Sequence, residues 1–160
     1  MTHAEIDVRA ATAADAPELA RLRFAFRSDY HTVVEGEPEF LARCELWMRD
    51  RLGNNAAWRA WVAVRRDSGA LVGTLWLQVI EKLPNPGDEA ERHAYVTSVF
   101  VHGDARNRGV GSCMIEAALG ACRDLGVDTV FLWPSTRSRG LYARHGFAQP
   151  KDILSQQLRR

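Results

Sequence analysis

The loop 106–112, with the sequence Arg-Asn-Arg-Gly-Val-Gly-Ser, constrains the fold of this chain more than any other stretch. An apolar run at 95–101 precedes it and apolar residues at helical spacing follow over 112–125, which predicts a strand, a short loop and a helix. Glycines let the backbone approach a ligand closely, and the first N–H groups of a helix have no partner within it. Those donors lie at the positive end of the helix dipole and suit phosphate oxygens. The loop therefore predicts a phosphate cradle, to which Arg106 and Arg108 add charge.

Length and composition predict one domain, over residues 1–160. The chain is 46% hydrophobic and 26% charged, as is ordinary for a globular protein. No apolar run approaches the roughly 20 residues of a membrane-spanning helix, and the polar first ten residues do not resemble a signal peptide. Cys44, Cys113 and Cys122 have neither paired nor metal-like spacing. We therefore expect reduced thiols, no metal and no membrane partner, in a cytoplasmic protein.

The charge of the chain is nearly balanced in total but uneven along its length. From residue 100 onward 9 Lys/Arg stand against 5 Asp/Glu, whereas before it 12 stand against 15. A nucleic-acid-binding domain is usually strongly basic, so we expect no nucleic-acid partner. The asymmetry is compatible with an anionic cofactor on one half and a cationic substrate facing the other, and equally with chance variation in surface charge.

Hydrophobic periodicity and turn residues predict an α/β protein with a mixed sheet, in the order β-α-α-β-β-β-α-β-α-β. Gly73, inside the second arm of a hairpin, predicts a bulge or a close backbone contact. The helix over 38–52 is expected to stop at the Gly-Asn-Asn sequence of 53–55. The predicted strands are 6–9, 59–65, 70–80, 93–101, a buried strand at 129–133 and a last strand from Phe147; the predicted helices are 12–27, 38–52, 112–125 and 137–144.

Two segments resemble the motifs of the GNAT N-acyltransferases. Arg106, Gly109 and Gly111 match the acetyl-CoA motif of that family, Gln/Arg-x-x-Gly-x-Gly/Ala, between the expected strand and helix. The sequence Leu-Tyr-Ala-Arg-His-Gly-Phe at 141–147 resembles the Leu-Tyr-x-x-x-Gly-Phe segment of the family. The order of elements from about residue 6 to 150 also agrees. The resemblance implies a GNAT-type fold, in which the strands on either side of the loop and its helix splay apart at the cofactor site.

The resemblance also implies acetyl-CoA as the co-substrate, with no metal. The backbone N–H groups of the loop would hold the pyrophosphate, and the preceding strand would pair with the pantetheine arm as with an added strand. Seven residues before the motif tyrosine the family often has Asn where this chain has Ser135, which is shorter but still a hydrogen-bonding residue. The expected cofactor-binding residues are Val99, Phe100, Val101, Arg106, Asn107, Arg108, Gly109, Val110, Gly111, Ser112 and Ser135.

The same resemblance implies that Tyr142 is the general acid that protonates the departing CoA sulfur. Such help is worth roughly a hundredfold to ten-thousandfold. Relatives often place the general base, a carboxylate, on the strand at 93–101, and this strand has none. The candidates that remain open are Glu81, which is the best single candidate, Glu91, His93, and a water molecule held by Thr97 or Ser98.

The acceptor is expected to be a primary amine of a small molecule or an exposed protein amine, which attacks the thioester directly in a ternary complex. In this family the loop between the first helices and the loop before the central strand line the acceptor site, and residues 29–31 are further candidates. Tryptophans at 47, 58, 61 and 76 are expected in the core. The acidic residues of the two loops, which would attract an amine, are Glu35, Glu37, Glu39, Asp88, Glu89 and Glu91.

Two other functions remain open at this point. A non-catalytic domain that binds or senses acyl-CoA would explain the missing strand carboxylate, and a nucleotide-phosphate binder would also use the glycine loop. Many relatives dimerise, so a homodimer is also open.

Overall fold

The computed structural model describes residues 5–54, 57–87 and 91–159. The strands are β1 (Ile6–Ala10), β2 (Trp58–Arg65), β3 (Leu71–Glu81), β4 (Arg92–Val101) and β5 (Thr129–Phe131). The α-helices are α1 (Ala16–Tyr30), α2 (Glu37–Asn54), α3 (Val110–Asp124) and α4 (Arg139–Arg144). Single turns of 3₁₀ helix lie at Ala13–Asp15, Gly103–Ala105 and Thr136–Ser138. None of the helices in the described part of the chain is long and apolar enough to cross a membrane.

The five strands form one mixed sheet in the order β1-β2-β3-β4-β5. The first three pairings are antiparallel, and β4 pairs with β5 in parallel through the crossover helix α3. The β2–β3 hairpin turns through Gly69, whose φ of 72° is in the left-handed region that favours glycine. The predicted mixed α/β sheet is therefore confirmed.

Two clusters of buried side chains cover the sheet. Successive residues of a strand point to opposite faces, and the neighbours Val62 and Ala63 belong to different clusters. Helices α1 and α2 cover the Val62 face, and α3 covers the other, where Met114 is fully buried. A Cβ at Gly73 would lie 3.2 Å from Met114 Cε and from the Phe100 carbonyl oxygen, which confirms the predicted close contact there.

Strands β4 and β5 separate soon after they begin. They pair only through His93–Thr129, Ala94–Val130 and Tyr95–Phe131. Beyond Tyr95, no described strand pairs with the β5 side of β4. The register of β4 against β3 also shifts here, and Ser98 has a φ of 53°, which marks a bulge. The splayed pair that the sequence predicted is present, and it opens toward the glycine loop.

Three sequence predictions about element bounds were wrong. Helix α1 continues to Tyr30 rather than ending near residue 27, and β5 ends at Phe131 with Thr129 exposed rather than forming a buried strand to 133. β5 is an edge strand, so one of its sides has no neighbour to bury it. No strand begins at Phe147, because the ring packs on Tyr142, 5.6 Å between centroids, and Pro150 then removes a backbone donor. The helix stop expected at 53–55 comes within that sequence, because α2 continues through Gly53 to Asn54, and Asn55 lies outside the described residues.

Candidate active site

A cleft of about 900 Å³ occupies the gap between β4 and β5. The loop 105–112, which we call the cradle end, lines one part of it, and the C-terminal end of α1 and the residues after β5 line others. Tyr142 and its short helix α4 also form part of the wall. The sequence-predicted residues that line it are Val99, Phe100, Val101, Arg106, Asn107, Gly109, Val110, Gly111, Ser112, Ser135 and Tyr142.

The cradle end is made of backbone. Gly109 is the N-cap of α3 with a φ of 76°, and Asn107 has a φ of 60°, so the loop turns twice through left-handed conformations. The N–H of Cys113 donates to the Gly109 carbonyl at 3.0 Å. The N–H groups of residues 110–112 precede this bond and are the free donors of the helix start. This arrangement suits a pyrophosphate.

The two loop arginines have different positions. Arg106 lines the cleft, but its Nε donates to the Val101 carbonyl at 2.8 Å and its Nη2 lies 3.8 Å from Asp29 Oδ2. Its guanidinium therefore ties the loop to β4 and α1. The Arg108 side chain is not among the lining residues, and its Nη1 is buried without a hydrogen-bond partner. The structure thus brings the Arg106 side chain to the cleft and not that of Arg108.

Sequence reasoning missed two other cations and a histidine. Arg137 and Arg144 line the cleft near Tyr142. His145 lines no part of it, but its side chain is only 10% exposed and its Nε2 lies 3.0 Å from Ser112 Oγ. The hydrogen bond fixes the hydroxyl of Ser112 at the start of α3. All three residues lie within ten positions of the motif tyrosine in the sequence, and this proximity is the feature that could have identified them as candidates.

Tyr142 is 8% exposed and lines the cleft. Burial raises the pKa of its phenol, so the hydroxyl stays protonated through neutral pH. Within the described chain its hydroxyl makes no hydrogen bond, and its ring packs edge-on against Phe147. A neutral phenol facing the cleft can donate a proton. Ser135 also faces the cleft, and its hydroxyl donates to Ser138 Oγ at 2.9 Å.

The candidate bases fall into two groups. Thr97 and Ser98 line the cleft, whereas Glu81, Glu91 and His93 do not. Glu81 is exposed at the end of β3 opposite Arg92, and Glu91 forms an ion pair with Lys82.

Ser98 has a cationic neighbour. Its Oγ accepts a hydrogen bond of 3.0 Å from Arg23 Nη1. A non-glycine residue at such a φ costs about 1–3 kcal/mol, so the bulge holds Ser98 in a strained conformation beside this arginine.

The lining around the C-terminal end of α1 is aromatic. Phe26, Tyr30 and the following residue His31 line the cleft, so part of the 29–31 segment reaches it. Across from them Tyr95 stacks on Phe131, with ring centroids 5.5 Å apart, and both rings contact Trp133. Trp133 lines the cleft while 72% exposed, and the sequence had placed it in a buried strand.

The other tryptophans lie elsewhere. Trp61 and Trp76 are buried as predicted, Trp58 is half-buried, and Trp47 is 39% exposed while its ring packs on Trp58 and Trp76. None of the four lines the cleft.

The described acidic residues of the two loops do not line the cleft. Among the described residues that line it there is no Asp or Glu. Glu35 pairs with Arg43 at 2.6 Å, while Glu37 and Glu39 are exposed at the start of α2. Asp88 and Glu89 lie outside the described residues. The expected acidic acceptor site is therefore absent from the described part of the cleft wall. In the same part of the chain, no group of three His, Cys, Asp or Glu is placed to hold a metal ion.

Comparison with known proteins agrees with this fold. The sequence profile of the Acetyltransferase (GNAT) family matches residues 19–147, so the chain belongs to the GNAT acetyltransferase family. Its members are acyltransferases that use acetyl-CoA. No curated protein sequence matches the chain.

Solved structures resemble it over nearly the whole length. A GCN5-related N-acetyltransferase from Ralstonia eutropha JMP134 has a TM-score of 0.73 at 21% identity, covering 95% of this chain and 98% of its own. A predicted acetyltransferase from Clostridium acetobutylicum, solved with acetyl-CoA, has a TM-score of 0.72 at 17% identity and 96% coverage of both. A ribosomal-protein-alanine N-acetyltransferase from Brucella melitensis biovar Abortus 2308 has a TM-score of 0.66 at 21% identity, covering 97% and 99%.

Proposed function

We propose that this protein is an acetyl-CoA-dependent N-acetyltransferase that acetylates a primary amine by direct attack in a ternary complex. The observation that carries the proposal is one continuous cleft lined by the α3 cradle, the open edge of β4 and the phenol of Tyr142. These three parts correspond to the three needs of the reaction: a grip on an anionic cofactor, a track for its arm and a proton donor.

The described residues fit acetyl-CoA. Free N–H groups at 110–112 and the positive end of α3 suit its pyrophosphate. The unpaired β4 edge from Val99 to Val101 offers backbone groups to the amides of the pantetheine arm, as an added strand would use them. Ser112, held by His145, adds a hydroxyl at the cradle.

The chemistry follows from the positions of the side chains. Acetyl-CoA supplies the acetyl group as a thioester, whose carbonyl carbon forms a bond to the amine nitrogen as its C–S bond breaks. Tyr142 donates its proton to the departing sulfur and recovers one from solvent. Because burial disfavours the phenolate, Tyr142 is in its donating form at neutral pH.

The amine must also lose a proton, and Thr97 is the residue we assign to hold the water molecule that accepts it. Thr97 lines the cleft and no cation donates to its hydroxyl. Ser98 is less suited because Arg23 already donates to its oxygen. Glu81 stays a prediction for the base, without support from its position outside the cleft wall.

Release of CoA from acetyl-CoA tests the proposal. A panel of amino acids, peptide N-termini, polyamines and aminoglycosides is mixed with the protein, and thiol release and the acetylated product are both measured. Turnover with at least one amine is expected.

The absence of a carboxylate from the described cleft wall favours one alternative, a non-catalytic acyl-CoA sensor. Tight acetyl-CoA binding without product across the panel would support the sensor and refute the enzyme. A nucleotide-phosphate binder would be stabilised in thermal unfolding by ATP as much as by CoA, whereas we expect selective stabilisation by CoA.

A further inference from the structure

Arg23 is a partly buried cation that does not itself line the cleft but contacts residues that do. It lies on α1, one turn before Phe26, and its guanidinium contacts two residues of the cleft wall. Its Nη1 donates to Ser98 Oγ at 3.0 Å, and its Cζ lies 5.7 Å from the centre of the Phe26 ring. Among the described residues, no carboxylate is within ion-pair distance of it.

Such a charge is costly to keep without a partner. Burial lowers the pKa of the Arg23 guanidinium, and the nearby positive charge of Arg27 lowers it further. A buried charge is normally paired, because the protein must replace the water that it loses. The exposed residues Arg21 and Arg43 pair with Glu18 and Glu35, whereas the partly buried Arg23 has no such partner among the described residues. Its charge would therefore be balanced by an anion from outside the chain.

The Arg23 guanidinium also has N–H donors that no described residue accepts from. Ser98 uses one N–H of Nη1, while Nε and Nη2 make no hydrogen bond within the described part of the chain. The hydrogen bond to the strained bulge residue fixes the plane of the group. A fixed planar fork of N–H donors matches the two oxygens of a carboxylate or a phosphate.

The charges along the cleft point the same way. Its described lining carries Arg106, Arg137 and Arg144 but no acidic side chain. A polycationic acceptor such as a polyamine would meet only like charges there. An acceptor with its own anionic group would instead find a partner.

We propose that the acceptor is an amine that also carries a carboxylate or a phosphate, and that Arg23 binds this anion through its free N–H groups beside Ser98. The proposal rests on the proposed N-acetyltransferase function and names the substrate class of that site. Arg23 is thereby a specificity determinant, and it takes no part in proton transfer.

The first test compares matched acceptors. Amino acids are assayed beside their amides, and amino alcohols beside their phosphate monoesters, so that each pair shares one amine. Wild type is expected to prefer the anionic member of at least one pair by about tenfold to hundredfold in kcat/KM, the range for a hydrogen bond to a charged group. Arg23→Met should lower kcat/KM for the anionic member much more than for the neutral member, so that the preference is lost, and Arg23→Lys should restore part of it. The control Arg21→Met removes an equal charge from the same helix and should keep the preference.

Equal rates for both members of every pair in wild type, or equal losses for both in Arg23→Met, would overturn the inference while leaving the enzyme function standing. No turnover with any acceptor would refute the enzyme function, and the second test then decides the anion site alone. In that test, ¹⁵N NMR follows the Nε–H of Arg23 while acetate, and separately inorganic phosphate, is added to the CoA-bound protein. A saturable shift with one of them, retained in Arg21→Met, supports the site and tells carboxylate from phosphate. No shift with either would refute it.

Discussion

The two ends of the cleft differ in whether backbone groups or side chains form their lining. The cradle end comes from one continuous stretch of chain, residues 105–112, and its donors are backbone groups. The end that we propose for the acceptor comes from three stretches far apart in sequence, Phe26 with Tyr30 and His31, 95–98 and 132–133, and it presents side chains. Backbone conformation follows from local sequence, whereas a wall of side chains depends on how distant segments pack. The following variants test this difference from the largest expected effect to the smallest.

Gly109→Arg is expected to abolish acetyl-CoA binding. The residue has a φ of 76°, where any side chain costs about 1–2 kcal/mol, and a long side chain would fill the cradle. Calorimetric titration with acetyl-CoA measures the loss. Gly87→Arg is the control, because a Cβ there meets nothing within 4 Å and its φ is not in the left-handed region. Unchanged affinity in Gly109→Arg would show that the cofactor does not bind at this loop.

Tyr142→Phe is expected to lower kcat by roughly a hundredfold to ten-thousandfold, as loss of a general acid does, with little change in acetyl-CoA affinity. Since burial raises the pKa of this phenol, the wild-type hydroxyl stays protonated through the usual tyrosine range, and a fall in rate caused by its ionisation should lie on the alkaline side of that range. The variant should lack that alkaline fall. A rate within about twofold of wild type would remove Tyr142 from the acid role.

Trp133→Ala is expected to raise the KM of the acceptor about three- to tenfold, the range for one aromatic contact, and to leave acetyl-CoA affinity unchanged. Trp133 is 72% exposed, so the free energy of unfolding should change little. Steady-state kinetics with each substrate varied in turn separates the two effects. A weaker affinity for acetyl-CoA with an unchanged acceptor KM would reverse our assignment of the two ends.

His145→Ala is expected to weaken acetyl-CoA binding about fivefold, because Ser112 loses one hydrogen bond, worth about 1 kcal/mol. The KM of the acceptor should stay the same. His102→Ala is a suitable control, since His102 is exposed and pairs with Asp104 away from the cradle. Equal behaviour of the two variants would exclude a role of His145 at the cradle.

Glu81→Gln is expected to have the smallest effect, far below the roughly hundredfold loss that removal of a general base causes. Glu81 is exposed and does not line the cleft. Thr97→Val, at the cleft wall, should lower kcat more. A large loss of kcat in Glu81→Gln would restore Glu81 as the base.

The sequence predicted the strand, loop and helix around the proposed cradle well because the signals are local. Gly109 lies between a strand and a helix whose periodicities are clear, Gly111 lies in the first turn of that helix, and the structure has both elements there. The separation of β4 from β5 was implied by the family resemblance. Arg108 shows the limit of this reading, because a position in a motif does not fix where a long side chain points.

The acceptor end was predicted poorly for a physical reason. Glu35 is engaged by Arg43, a residue eight positions away on α2, and nothing in the acidic loop itself indicates that pair. Trp133 was read as part of a buried strand, although β5 ends two residues earlier and leaves the ring at the cleft. The contact of Arg23 with Ser98 joins residues 75 positions apart, and it depends on a bulge that the residue types in β4 do not predict.

A crystal structure with acetyl-CoA bound tests the central claim most directly. Our account predicts the pyrophosphate within hydrogen-bond distance of the N–H groups of residues 110–112, the pantetheine arm along β4 at Val99 to Val101, and the sulfur near the Tyr142 hydroxyl. A pyrophosphate bound away from the start of α3, or a thioester sulfur beyond the reach of Tyr142, would contradict it.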